Sequence, residues 1–189
     1  MKKIFMFMMC MFAVISLSAC NFNDPFEIYK SYGDSFHFRE EVKFYDKYSG
    51  KYEGSQIAEI YGEGEISYSV GDGVVGPLKQ YLDSKNLFSY EYDYNTGVWY
   101  REKWERASTG EFQGWWEKEN YDYRDGVYTL KGYFDIGQIE YRKVHLNSEG
   151  LIVVEEKFIL EDFTAIKITT YIDGGENYNL KLPEIYKIR

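Results

Sequence analysis

The side chains that most often carry catalysis or bind metals are few in this chain. His37 and His145 are the only histidines and lie 108 positions apart, so no pair has the helical spacing of a zinc site. The adjacent carboxylates Glu155 and Glu156 cannot act together as a glycosidase pair, because neighbouring residues of a strand point to opposite faces. The sequence also lacks a nucleophile elbow, a P-loop and a dinucleotide-binding glycine pattern. We therefore expect a protein that is not an enzyme and uses no metal or cofactor.

The amino-terminal twenty residues form the most specific pattern in the chain. Two lysines precede an apolar run from Ile4 to Ile15, which is shorter than the roughly 20 residues of a membrane-spanning helix and typical of a secretory signal. Small residues then lead to Cys20 in the tetrapeptide Leu17-Ser18-Ala19-Cys20. This tetrapeptide resembles the lipobox of bacterial lipoproteins. The resemblance implies that residues 1–19 are cleaved off and that the thiol of Cys20 carries a diacylglyceryl group. An ordinary signal peptide that contains a cysteine is the alternative.

Cysteine count and charge agree with an anchored, extracytoplasmic protein. Cys10 leaves with the signal and Cys20 would be blocked by lipid, so no disulfide can form within one mature chain. Removal of the signal, which contains two lysines and no acid, changes the formal net charge from −9 to −11. Such an acidic body is a poor partner for nucleic acids or anionic headgroups. Membrane attachment then depends on the acyl chains at Cys20, and we expect the protein on the outer side of the cell membrane or on an outer membrane.

The mature chain divides into a short amino-terminal segment and one domain. Residues 20–34 have no sustained hydrophobic period and are interpreted as a flexible tether, which leaves residues 35–189 as a single β-rich domain. One short helix is predicted over Pro77–Ser84, where Pro77 suits a first helical position. Short Tyr-, Phe-, Val- and Ile-rich segments separated by Gly and Asn turns predict antiparallel strands. These are Phe36–Tyr48, Ser55–Tyr61, Glu65–Val70, Phe88–Tyr94, Val98–Arg106, Glu111–Lys118, Val127–Phe134, Gln138–Leu146, Leu151–Leu160, Phe163–Ile172 and Tyr178–Leu182.

A hairpin around Asn95-Thr96-Gly97 provides the candidate binding residues. A three-residue loop with Gly97 in the left-handed conformation would place Tyr94 opposite Val98 and give the hairpin one aromatic face. The candidate ligand-binding residues on that face are Phe88, Tyr90, Tyr92, Tyr94, Tyr100 and Trp104. So much apolar area must be covered, either by the domain's own core or by a ligand, and tyrosines suit a binding cleft because their bodies are apolar and their tips polar. The sequence leaves both possibilities open.

A second long hairpin is predicted from Leu151–Leu160 and Phe163–Ile172. Its apolar residues are the main candidates for the core. They are Ile152, Val154, Phe158, Ile166, Ile168 and Ile172.

The lipobox, the tether, the aromatic strands and a closing strand at Tyr178-Asn179-Leu180-Lys181-Leu182-Pro183 together resemble the lipoprotein-carrier (LolA-like) group. The resemblance implies a single curved antiparallel sheet, an unclosed half-barrel with one or two short helices, that holds a lipid-like ligand on its concave aromatic face. The long amphipathic helix that usually precedes the first strand in that group is absent from this sequence.

Three functions are compatible with these sequence features. The first is a membrane-anchored lipoprotein that binds an apolar or amphiphilic ligand. The second is a structural or interaction lipoprotein of the cell envelope, without a small ligand, whose aromatic face is core. The third is a glycan-binding surface protein that uses Trp99, Trp115 and Trp116.

Overall fold

The computed structural model describes residues 24–73, 76–103, 115–132 and 139–189. Its strands form one unclosed, curved sheet. The mostly-β fold predicted from the turn spacing is confirmed. An α-helix, α1, covers Pro25–Ser31, and a single 3-10 turn covers Lys118–Asn120. The strands are β1 (Ser35–Asp46), β2 (Tyr52–Glu63), β3 (Ile66–Gly73), β4 (Gly76–Asp83), β5 (Phe88–Asp93), β6 (Val98–Lys103), β7 (Tyr121–Arg124), β8 (Val127–Leu130), β9 (Ile139–Leu146), β10 (Ile152–Ile159), β11 (Phe163–Gly174) and β12 (Lys187–Ile188).

The strand order is β12-β6-β5-β4-β3-β2-β1-β11-β10-β9-β8-β7. Every neighbouring pair is antiparallel except β12 and β6, which are parallel. Strand β1 lies in the middle and joins the amino-terminal meander β1 to β6 to the carboxy-terminal meander β7 to β11. We call the face on which α1 packs the helix face, and the opposite face the tyrosine face.

Helix α1 belongs to the core of the domain. The carboxylate of Asp24 accepts a hydrogen bond from the backbone N–H of Phe26 at 3.0 Å, and Pro25 occupies the first turn, which together start the helix. The Phe26 side chain is fully buried against Val144, Ile152 and their neighbours on β7 to β10. The prediction of a flexible tether is therefore wrong for residues 24–34, since a helix of seven residues is too short for its apolar side chains, such as Phe26 and Tyr29, to show a sustained period.

The predicted helix over Pro77–Ser84 is wrong, because this segment is strand β4. Leu78 and Leu82 share a face in a strand as well as in a helix, so the short apolar pattern does not discriminate between the two. Pro77 is tolerated because β5 pairs with β4 only from Gln80 onward, which leaves one side of β4 without a ladder at the proline.

Two predicted strands are also corrected. Residues 178–182 form no ladder, and Asn179 has a left-handed φ of 52°. The short β12 follows them instead. The strand predicted over Glu111–Lys118 is wrong for residues 115–118, which form turns, and its first part lies outside the described residues. Strand β7 was not predicted.

The register of the β10–β11 hairpin divides the predicted core residues between two faces. Val154 lies opposite Thr169, and Glu155 lies opposite Ile168. Ile152 and Val154 therefore face α1 in the core, whereas Ile166 and Ile168 lie on the tyrosine face. The prediction that they share one face is wrong because a one-residue change of register moves a side chain to the other side of the sheet.

Candidate ligand-binding site

The tyrosine face carries one row of side chains that crosses seven adjacent strands in direct register. Each member lies opposite the next on the neighbouring strand. Since neighbouring strands lie about 4.8 Å apart, the four tyrosines of the row span about 14 Å. From β11 to β6 the members are Asp173, His37, Tyr61, Tyr68, Tyr81, Tyr90 and Arg101, and we call this set the aromatic row.

The rings of the row stand side by side. The ring centres of His37 and Tyr61 are 4.2 Å apart with an angle of 10° between the planes, and those of Tyr68 and Tyr81 are 4.6 Å apart at 35°. The ring centres of Tyr61 and Tyr68 are 6.4 Å apart, with an angle of 29° between the planes. Because the ring faces are turned toward one another, the row presents C–H edges and hydroxyl groups to its surroundings.

A second aromatic pair widens the row at its centre. Tyr92 and Trp99 lie opposite each other on β5 and β6 with ring centres 5.2 Å apart, and Trp99 is 5.4 Å from Tyr81. The Nζ atom of Lys79 lies 4.9 Å from the ring centre of Tyr92 and 5.4 Å from that of Trp99. The centre of the tyrosine face thus combines aromatic surface with one cation held over it.

The three central tyrosine hydroxyls are available to a ligand. Tyr61, Tyr68 and Tyr81 are half-buried, and this burial raises the pKa of each phenol above its ordinary value. Each hydroxyl is consequently neutral near pH 7 and can both donate and accept a hydrogen bond. Among the described residues none of the three has a hydrogen-bond partner.

Carboxylates surround the histidine at one end of the row. His37 Nε2 lies 2.9 Å from Glu59 Oε2, and Nδ1 lies 3.3 Å from Asp173 Oδ2. These contacts hold the plane of the imidazole nearly parallel to Tyr61. His37 therefore orients the first tyrosine of the row, and both of its nitrogens are occupied by protein groups.

The C-terminal segment, residues 175–189, first contacts the row at the same end. The ring of Tyr178 packs against Tyr61 at 5.5 Å, and its hydroxyl donates to the carboxylate of Asp173. Burial and this hydrogen bond raise the pKa of Tyr178. Two residues later, the backbone N–H of Leu180 donates to Glu63 Oε2 at 3.0 Å.

The same segment ends over the other end of the row. Tyr186 packs edge-on against Tyr90 with ring centres 5.3 Å apart, and Tyr90 is only 5% exposed. The guanidinium of Arg101 lies over the rings of Phe88 and Tyr186, at 4.4 Å and 4.6 Å. Strand β12 then pairs with the edge of β6. The segment thus contacts both ends of the row, whereas Tyr61, Tyr68 and Tyr81 all remain partly exposed.

The structure separates the residues predicted to share one aromatic face. The hairpin loop has four residues, so Asp93 pairs with Val98, and Gly97 adopts a φ of 68°. Phe88, Tyr90 and Tyr92 lie on the tyrosine face as expected. Tyr100 lies opposite Glu91 on the helix face, and Tyr94 lies in the turn with 47% of its surface exposed.

The prediction of a single face is therefore wrong for Tyr100, because the extra loop residue shifts the register by one. Trp104 and Cys20 lie outside the described residues.

A cluster of charges lies on the helix face beneath two tryptophans. The carboxylate of Glu156, 3% exposed, pairs with Arg142 and, at 2.8 Å, with Lys167. Arg142 also donates to the hydroxyl of Tyr121 at 3.0 Å, and its guanidinium lies 4.3 Å from the ring centre of Trp115. Burial alone would raise the pKa of Glu156, but the charges of Lys167 and Arg142 outweigh it, and the pKa is lowered. The charges of the cluster are paired with one another, and the pairs link β9, β10 and β11.

The helix face also has an open cleft of about 410 Å³ beside α1. Tyr123, Tyr128, Leu146 and Pro25 are among the residues that line it. The cleft lacks a continuous aromatic wall.

The tryptophans proposed for glycan stacking are in contact with other side chains. Trp116 stacks on Tyr29 with ring centres 3.7 Å apart and an angle of 7° between the planes. The guanidinium of Arg142 lies over the ring of Trp115. Trp99 packs against Tyr81 and Tyr92. In each case a neighbouring side chain occupies surface that a sugar ring would need.

The centre of the row was not predicted from the sequence. Tyr61, Tyr68 and Tyr81 come from three strands, and the sequence pattern predicts a helix for the last of them. Their common signal is a tyrosine within each segment, but only the pairing of β2, β3 and β4 brings them into line.

No protein-family model and no curated protein matches this chain. Within the described part of the chain, no helix has the length and apolar character needed to cross a membrane. The described residues also contain no group of three His, Cys, Asp or Glu side chains placed to hold a metal ion.

Proposed function

We propose that this chain is an extracytoplasmic lipoprotein, attached to a membrane through acyl chains on Cys20, that binds an amphiphilic ligand along the aromatic row without catalysing a reaction. Its membrane is the cell membrane or an outer membrane. The lipobox at Leu17–Cys20 supports the anchor, and the acidic chain supports attachment by lipid rather than by charge.

One observation carries the choice of ligand. The centre of the row combines half-buried rings with hydroxyl groups that have no partner among the described residues. A purely aliphatic ligand would leave those hydroxyls without hydrogen bonds, and a strongly polar ligand would gain nothing from the ring edges. An amphiphile satisfies both, with its chain along the rings and its polar group at the hydroxyls.

Ring orientation favours an amphiphile over a glycan. Sugars stack on flat ring faces, whereas the faces of Tyr68 and Tyr81 are turned toward each other. The second candidate is an interaction lipoprotein, and a specific observation favours it. The chain's own C-terminal segment already lies on the tyrosine face.

Binding of lysophosphatidylcholine tests the proposal. The probe has no net charge, which avoids repulsion by the acidic domain. We would use the mature chain, residues 20–189, with Cys20→Ala, which has neither the apolar signal nor the acyl chains and so needs no detergent, and measure binding by calorimetry below the micelle concentration. Tyr81→Ala should weaken binding about tenfold, since one ring edge and one hydroxyl are lost.

Tyr48→Ala is the matched control, because Tyr48 lies in a turn with 83% of its surface exposed. Its affinity should equal that of the parent chain. A parent chain that does not bind the probe, or equal affinity in both variants, contradicts the proposal.

A further inference from the structure

The C-terminal segment contacts the tyrosine face through alternate side chains. From residue 177 to residue 182, exposed and half-buried side chains alternate, and the half-buried ones are Tyr178, Leu180 and Leu182. The alternation places one apolar side of the segment against the sheet, although the backbone turns at Asn179, which has a left-handed φ of 52°. The segment is thus held by its side chains and not by a continuous ladder of backbone bonds.

Two tyrosines eight positions apart anchor the segment. Tyr178 is held by Tyr61 and the Asp173 carboxylate, and Tyr186 by Tyr90 and Arg101. Eight extended residues reach at most about 26–29 Å. Tyr61 on β2 and Tyr90 on β5 are three strand spacings apart, which is about 14 Å. The segment is therefore long enough to join the two anchoring positions with the turn at Asn179 included.

The backbone of the segment also contacts polar groups of the sheet. The N–H of Leu180 donates to Glu63, and the N–H of Arg189 donates to the Arg101 carbonyl at 3.1 Å. Pairing along the edge of β6 is the main-chain recognition that sheets use for added peptide strands. Ring contacts with side chains of the segment, together with hydrogen bonds to its backbone, suit a polypeptide.

We propose that the tyrosine face is a receptor for a peptide that carries two aromatic residues about eight positions apart with leucines between them, and that the C-terminal segment is its exchangeable intramolecular occupant. The proposal deepens the proposed function, on which it rests, because it names the class of amphiphile that the row binds.

The attachment of the segment is limited enough for exchange. Strand β12 has only two residues, both exposed, and Ile185 beside them is 86% exposed. Segments with few buried contacts open at a small fraction of the global unfolding free energy. While attached, however, the segment acts at an effective concentration of about 1 mM, so a free peptide in the micromolar range competes poorly.

A fluorescein-labelled peptide of residues 175–189 tests the proposal by fluorescence anisotropy. The mature chain with Cys20→Ala serves as parent, and Tyr178→Ala and Tyr186→Ala are introduced together to release the attached segment. We expect the double variant to bind the peptide at least tenfold more tightly than the parent. Ile185→Ala, at an exposed position of the same segment, should leave the parent affinity unchanged. A peptide with both tyrosines replaced by alanine should not bind.

Limited proteolysis of the C-terminal segment accompanies the titration. The segment should be cleaved faster in the double variant than in the parent, with unchanged circular dichroism. A released segment without tighter peptide binding overturns the proposal, as does a segment that stays protected in the double variant, because the two tyrosines would then not be its anchors.

The lysophosphatidylcholine titration separates this proposal from the proposed function. If the lipid binds and the peptide does not, only the peptide proposal fails. If neither binds, both fail.

Discussion

The hydroxyl of Tyr186 accepts a hydrogen bond of 2.8 Å from the guanidinium of Arg101, although the two residues lie 85 positions apart in the chain. The same guanidinium lies over the rings of Phe88 and Tyr186. Arg101 therefore joins the end of the chain to the hairpin β5–β6, and this contact closes one end of the aromatic row.

Tyr186→Phe tests that closure. The ring contacts with Tyr90 and Arg101 remain, but the hydrogen-bond acceptor is lost, at a cost of about 1 kcal/mol. The backbone amide of Arg189, which donates to the Arg101 carbonyl, should exchange with deuterium about fivefold faster, because local opening precedes its exchange. Tyr48→Phe at an exposed turn should leave this rate unchanged. Equal exchange rates in Tyr186→Phe and the parent would show that the hydroxyl does not hold the segment.

Phe26→Ala tests whether α1 belongs to the folded domain. Phe26 is fully buried, and large-to-small substitution of a buried phenylalanine costs about 3–5 kcal/mol of unfolding free energy. Glu27→Ala, at an exposed position of the same helix, should cost less than about 0.5 kcal/mol. Urea unfolding measures both. A loss below about 1 kcal/mol for Phe26→Ala would mean that the helix is not part of the core.

Glu156 should make stability dependent on acid pH. Its pKa in the folded chain is lower than the ordinary 4.5 because of Lys167 and Arg142, so its charge contributes stability that is fully present above pH 4.5. That contribution is lost as the pH falls through the folded pKa. Glu156→Gln should therefore cost about 3 kcal/mol at pH 7, as expected for a buried charge that loses its partner, and clearly less at pH 3.5.

Urea unfolding at the two pH values measures this difference. Glu53→Gln provides the control, because Glu53 forms a surface pair with Lys51 and should change stability by less than about 1 kcal/mol at either pH. A cost for Glu156→Gln that does not vary between pH 7 and pH 3.5 is incompatible with a lowered pKa.

Cys20→Ala tests the anchor. The described domain begins at Asp24, so the substitution should leave circular dichroism and thermal unfolding unchanged. Acylation should be lost, and the protein should move from the membrane fraction to the soluble fraction. Mass spectrometry and fractionation measure these outcomes. A Cys20→Ala chain that is still acylated and bound to the membrane refutes lipidation at this position.

Local patterns located hairpin turns, because the turn residues form hydrogen bonds among themselves. At Asp93–Gly97 the Asp93 carboxylate accepts from the backbone N–H groups of Asn95 and Thr96, and Gly97 takes the left-handed conformation. The local pattern therefore located the turn. The pattern did not distinguish a loop of three residues from one of four. The additional loop residue shifts the register by one and places Tyr100 on the other face.

The aromatic row could not be predicted for a related reason. Tyr61, Tyr68 and Tyr81 align only because β2, β3 and β4 pair in one particular register, which the burial of both faces selects in three dimensions. The strand predicted over Tyr178–Leu182 is not formed, and Asn179 within it has a left-handed φ of 52°. Whether an extended segment joins a ladder or lies across a face depends on tertiary contacts such as the one between Tyr178 and Asp173.

Photo-crosslinking locates the bound amphiphile most directly. Lysophosphatidylcholine with a diazirine in its acyl chain would be irradiated with the mature Cys20→Ala chain and the labelled residues identified by mass spectrometry. The proposed site predicts labels on the tyrosine face, at Tyr68, Tyr81 and Trp99. Labels concentrated on the helix face, at Trp116 or in the cleft beside Pro25, would contradict the assignment of the ligand to the aromatic row.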